Sequence, residues 1–276
     1  MARHDEEHED RQPAGEGGAG SEPAGAGRRA QRRAFRRDEI LKTALLLVEE
    51  GGLDAVTTTA LARRTGAALG ALYRFFPSKA AVVAALQREA LAGLHVELAQ
   101  ASTAAATRAQ PLGARVQAIA ALIAIADVVF AEPQAHPARF RLVDEALSRL
   151  EAVHEDADAA ALEANLGSLL ALAHERVTAF AGAVPDEDDD ERRGERERFS
   201  FALWAALHGV THFRKRDRLV PAAHASARVA TTTVCLLLRG LGADDAELAA
   251  AWAAVSPRAL GPLVTRRRPE KETPRW

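Results

Sequence analysis

The sequence predicts an all-α protein of one or two domains, on three observations. Ala and Leu dominate a hydrophobic content of 48%, while aromatics make up only 5%. Helix formers are therefore abundant, and the β-branched and aromatic residues that fill strands are sparse. Apolar residues recur at helical spacing through most of the chain, with no alternating run or Asn-Gly hairpin signal to compete with them. The 276 residues are enough to bury a substantial core.

The formal net charge of -2 conceals two opposite blocks. Residues 1–27 hold acids, Gly, Pro and Ala with hardly any large apolar group, a composition expected to be disordered. His4 and His8 lie in that tail at i, i+4 and are expected to be solvated. A basic arm follows at 28–37, "RRAQRRAFRR", and an acidic loop at 186–191, "DEDDDE". A single cysteine, Cys235, rules out an internal disulfide and fits a reducing compartment. The N-terminus lacks a signal-peptide pattern, and the run "VQAIAALIAIA" at 116–126 is too short to span a bilayer. A soluble, cytoplasmic protein with no membrane partner is expected.

Taken in order, the first periodic segment begins near Arg36 and carries Leu41, Ala44, Leu45 and Val48 on one face until Gly51-Gly52 ends it. Thr57 and Thr58 offer N-cap hydroxyls for a short helix that runs to Gly66. A second short helix spans about Ala68 to Phe75 and stops at Pro77-Ser78. Ser78 caps a fourth helix that continues to about residue 100. Beyond Pro111, helices are expected at 112–131, 137–153, 157–183, 192–215, 222–241 and 244–254, with Pro133 and Pro137 as breaks. The segment 257–276 reads as a disordered tail.

Two short helices joined at a glycine and braced by longer helices form a helix-turn-helix module, here 36–86. Leu61, Ala62 and Leu72 are small or apolar enough to pack the pair, and Gly66 allows the reversal. The second helix must then show an exposed face to a major groove. The pieces "ILKTALLLVEEGG", "TTTALARRTG" and "GALYRFFPSKAAVVAAL" resemble the DNA-binding domain of the TetR family of bacterial regulators over Ile40 to Leu86.

That resemblance implies a double-stranded DNA operator as partner. Thr57, Thr58 and Thr59 open the helix that holds phosphate, and Tyr73 and Lys79 fall at backbone-contacting positions. Ala68, Leu69, Gly70, Ala71 and Arg74 form the recognition surface. The family usually has Ser or Thr where Ala68 stands, so the recognition helix is expected to lack a side-chain cap. With almost no hydrogen-bonding groups on that surface, affinity must come from elsewhere. Arg28, Arg29, Arg32 and Arg33 of the arm are the candidates, neutralising phosphates or entering a narrow minor groove.

The remainder, 112–254, is expected to be an effector-binding and dimerisation domain. "FALWAALHGVTHF" at 201–213 is similar to a Trp-His-Gly signature of one group of TetR-type C-terminal domains, matched by Trp204, His208 and Gly209. By resemblance the last two long helices pair with a second copy, which assigns Leu203, Trp204, Leu207, His208, Val210, Val234, Leu237 and Leu238 to a homodimer interface. An unknown small-molecule effector would sit among Leu122, Ile125, Leu166, Leu170 and Phe180, with Arg139 or His174 as polar handles. His208 and His212 share a helix face, but spacing indicates no third ligand, so packing is expected there and not a metal. No cofactor and no catalytic residue is assigned, because nucleophile-elbow, phosphate-loop and zinc-protease patterns are missing. The expectation is a dimeric, ligand-responsive repressor and not an enzyme. The competing reading is a helical small-molecule binding protein or enzyme with a non-functional helix-turn-helix.

Overall fold

The computed structural model describes residues 24–148, 156–182 and 190–263, and among them the chain forms ten α-helices and no strand. In order they are α1 (Ala24–Gly51), α2 (Thr58–Thr65), α3 (Leu69–Tyr73), α4 (Lys79–Arg108), α5 (Ala114–Ala135), α6 (Pro137–Ser148), α7 (Asp156–Ala181), α8 (Asp190–Phe213), α9 (Ser226–Gly240) and α10 (Asp245–Val255). The acidic 186–189 and the tails 1–23 and 264–276 lie outside the described residues. Asp190 and Glu191 of the acidic block form the first turn of α8, where the positive end of the helix dipole favours them.

The core is built around α5. From Ala118 to Ala126 every residue is buried, because the segment is apolar on all sides and has no face to give to water. Helices α4, α6, α7, α8, α9 and α10 all pack on it. By length and composition α5 could cross a membrane, but 67% of its apolar stretch is already covered by protein, as befits a core helix. Pro133 does not end it. The helix runs two residues further, and Arg214 clamps the last turn by donating to the Phe130 carbonyl and to Gln134 Oε1, the latter at 2.7 Å.

Ion pairs fix the helices that surround this axle. Arg139 on α6 donates to Glu132 on α5, which is 3% exposed, and to Glu97 on α4, so one guanidinium ties three helices together. Arg115 at the start of α5 reaches Glu247 on α10 at 2.7 Å and lies 4.2 Å from the centre of the Phe180 ring. At the α6 end nearest the N-terminal helices, Arg141 donates to the Val48 carbonyl of α1 at 3.2 Å.

Helix α4 runs to Arg108, past the expected end near residue 100, and two further boundaries differ from the sequence expectation for clear reasons. Helix α1 starts at Ala24 and not near Arg36: Ala, Arg and Gln are strong helix formers, yet they provide no apolar periodicity to reveal it. The C-terminal segment expected as a tail from 257 is held as far as 263. Asp127 on α5 accepts the backbone N–H groups of Arg258, Ala259 and Leu260 at 3.0, 2.8 and 2.8 Å. Leu260 is buried, and Gly261 lies so close to Ala227 that an added Cβ would stand 3.2 Å from its carbonyl oxygen.

Replacing Asp127 by Ala leaves three N–H groups without their acceptor. A loss of about 2 kcal/mol is expected, seen as a melting temperature lower by about 4–8 °C in thermal circular dichroism. An unchanged melting temperature would show that the segment is anchored by Leu260 and Gly261 alone.

Candidate nucleic-acid interface

The helix pair is set by local chemistry. Thr57 is the N-cap of α2, its hydroxyl accepting from the Ala60 N–H at 3.1 Å, with Thr58 and Thr59 in the first turn. At the other end Gly66 takes φ 64°, a left-handed conformation that ends the helix and turns the chain toward α3. Arg64 on α2 grips Glu50 on α1 through two bonds of 2.7 and 2.5 Å, and this pairing lowers the carboxyl's pKa. Leu61, Leu72 and Phe76 are buried beneath the pair. Arg37 stacks 5.0 Å from the centre of the Phe76 ring.

What remains outside is the candidate surface. Helix α3 is shorter than expected, five residues, because its N-cap Ala68 makes no side-chain hydrogen bond and Pro77 lies just beyond. Leu69 and Tyr73 are 45% and 46% exposed, and Ala68, Gly70 and Arg74 are exposed beside them. Ala71 is half-buried. Nothing lies within 4 Å of a Cβ placed on Gly70, so this face is open. Lys79 is exposed at the first position of α4, where Ser78 caps the helix by accepting from the Ala81 N–H at 3.1 Å.

The basic arm is not an extended strand of arginines. Arg28, Arg29, Arg32 and Arg33 are exposed residues within α1, a helix of 28 residues. Such a helix is about 10–12 Å across and does not enter a minor groove of about 6 Å. Any reach into such a groove would fall to the arginine side chains and not to the helix itself.

The effector residues do not converge on one cavity. Leu122, Ile125 and Phe180 are buried core side chains, and Leu166 packs against that core. Arg139 is committed to its two carboxylates. Leu170 and His174 line a groove, about 590 Å³, between α7 and α8, together with Gly167, Ala171, Ser200 and Phe201, whereas Arg139 borders a separate one beside His136 and Leu45. The Nδ1 of His174 has no hydrogen-bond partner there.

The assigned dimer residues are also redistributed. Leu203, Leu207, Val234 and Leu238 are at most 2% exposed and face their own core, because α8 and α9 turn these stripes toward each other and toward α5. Trp204, Val210 and Leu237 are half-buried. The exposed large apolar residues described in the two helices are instead Phe201, Phe213, Val229 and Leu236, at 60%, 53%, 41% and 53%.

His208 faces Asp144 on α6, its Nε2 3.0 Å from Oδ1, with His212 Nε2 3.3 Å from the same oxygen. The third polar partner that spacing along α8 could not reveal comes from 64 residues earlier in the chain. Burial lowers the pKa of His208, opposed by the neighbouring Asp144 carboxylate.

Comparisons with known proteins agree with this module. Residues 40–86 match the family model of bacterial regulatory proteins, tetR family. A stretch of 55 residues is 49% identical to the HTH-type transcriptional repressor KstR of Rhodococcus jostii (strain RHA1), covering 20% of this chain and 26% of that protein. A stretch of 64 residues is 47% identical to the HTH-type transcriptional repressor KstR of Mycolicibacterium smegmatis (strain ATCC 700084 / mc(2)155), covering 23% and 30%. The matches thus span less than a third of these relatives. The crystal structure of SCO4313, described as regulatory, superposes with a TM-score of 0.54 at 20% identity over 76% of this chain and 98% of that one, a likeness of fold alone. Residues 40–86 are therefore similar to the helix-turn-helix segment of bacterial regulatory proteins of the tetR family, on a chain that is all-α among the described residues.

Proposed function

We propose that this protein is a transcriptional repressor that binds a palindromic DNA operator as a homodimer, in the cytoplasm, and releases it in response to a small molecule. The observation that carries the reading is the tetR-type segment at 40–86, with Thr57, Tyr73 and Lys79 exposed around a packed Leu72 and Phe76. Tyr73, Lys79 and the Thr57 turn hold phosphates. The Ala68–Ala71 surface makes close apolar contact, where Leu69 meets thymine methyls and Arg74 is the charged reader of a base. The α1 arginines run along the backbone and supply affinity without sequence information.

Dimerisation through α8 and α9 is retained in this reading, with Phe201, Val229 and Leu236 as the covered side chains. Two-fold symmetry then sets the recognition helices about 34–36 Å apart. The effector is assigned to the α7–α8 groove beside Leu170 and His174. Trp204, His208 and Gly209 extend the resemblance into this half of the chain.

The testing experiment is a gel shift on the DNA upstream of the protein's own gene, against a scrambled duplex, across a salt series. Sequence-selective retardation is expected. Its absence at every salt concentration would favour the competing reading of a ligand-binding helical protein. Changing Arg28, Arg29, Arg32 and Arg33 together to Ala should flatten the plot of log K against log[salt] by about 0.9 for each phosphate contact removed; an unchanged slope would take the arginine helix off the DNA. Ala68→Ser supplies the missing cap and is expected to add about 1 kcal/mol, seen as a melting temperature higher by about 2–4 °C or tighter operator binding. No change in either would show that α3 does not need the cap.

A further inference from the structure

Asp144 Oδ1, His208 Nε2 and His212 Nε2 form a closed triangle with edges of 3.0, 3.3 and 3.3 Å. Its corners come from two helices, α6 and α8, and Phe140 covers the imidazoles with its ring centre 6.0 and 5.7 Å from theirs. While the Asp144 carboxylate is ionised, no arrangement of protons makes all three edges hydrogen bonds. If both Nε2 atoms carry hydrogen, the two nitrogens meet donor to donor; if either lacks it, that nitrogen turns a lone pair on the carboxylate. A cation at the centre satisfies all three at once. Donors about 3.2 Å apart lie about 1.8 Å from their common centre, so an ion at the ~2.0–2.2 Å of a zinc–nitrogen or zinc–oxygen bond sits just above their plane.

A second set of metal-capable groups, Glu97, Glu132 and His136, shows the contrast. There the cation is already built in, since Arg139 donates to both carboxylates. At the α6–α8 triangle the ion-pair partners of Asp144 are the two imidazoles themselves.

We propose that Asp144, His208 and His212 bind a late first-row divalent cation of the zinc class, and that the ion acts on the DNA-binding end through α6. Two imidazoles and one carboxylate suit zinc and its neighbours and disfavour magnesium and calcium, which prefer all-oxygen sets. His212 is exposed, so the remaining coordination positions open to water or to a donor atom of another molecule. The ion locks α6 against α8. Helix α6 carries Asp144 to the site and, three residues earlier, Arg141 to the last turn of α1. A shift of α6 at the ion is therefore passed to the helix that braces the helix-turn-helix. This second step rests on the DNA-binding reading above, and the first does not.

The test uses the untagged full chain. Titration with Zn2+, followed by calorimetry and metal analysis, should give one ion per chain; Co2+ should give visible d–d bands, and Mg2+ should give neither. His212→Ala and Asp144→Asn should each weaken Zn2+ binding by more than about tenfold, the cost that even the loss of an outer-shell partner can reach, while far-ultraviolet circular dichroism stays unchanged. A His4→Ala/His8→Ala chain should bind as the parent does. If the parent binds no stoichiometric ion, or if binding follows the His4/His8 pair, the site is overturned. In gel shifts, Zn2+ should change operator affinity of the parent and leave that of His212→Ala unchanged. Stoichiometric binding with unaltered DNA affinity overturns the coupling through α6. A chain that binds Zn2+ but no DNA fails the repressor reading alone, so the two failures are distinguishable.

Discussion

The complete burial of α5 is the constraint on which the rest of the structure depends. An apolar helix with no wet face must be surrounded, and six helices do so. Alanines along it keep the neighbours close, so those helices have little freedom in where their polar residues fall. The ion pairs of Arg139 and Arg115 are consequences of this packing: each lies at an end of α5, where polar chemistry can resume.

Helix α6 shows what that packing does for function. It has only 12 residues, yet its arginines and aspartate reach α4 and α5, α1, and α8. A short helix bound on three sides moves as a unit or not at all. It therefore joins the helix-turn-helix to the larger bundle alongside α4, whose 30 residues span both.

The helix pair was readable because its signals are local: Thr57 as cap, Gly66 as turn, and Pro77-Ser78 as stop all act within a few residues of themselves. The all-α class was readable for the same reason. Readings that required long-range knowledge fared differently. Pro133 looked like a terminator, yet packing and Arg214 carry α5 past it. Leu122, Ile125 and Phe180 belong to apolar stripes that periodicity identifies, but periodicity cannot separate a cavity wall from a filled core. Asp144 gave no sign at all, since its meeting with His208 and His212 depends on how α6 and α8 lie across α5. The start of α1 was hidden because a helix made of Arg, Ala and Gln has propensity without pattern.

That first stretch of α1 has an energetic consequence of its own. Arg28, Arg32 and Arg36 stand one turn apart, as do Arg29, Arg33 and Arg37, so like charges repel along two adjacent rows. They also crowd the end of a helix whose dipole is already positive there, with no acidic residue in its first turn. The Arg36–Glu39 pair, at 2.9 Å, relieves part of the repulsion from within the helix. The opening turns of α1 thus carry an electrostatic cost within their own helix, which any anion held against them would lower.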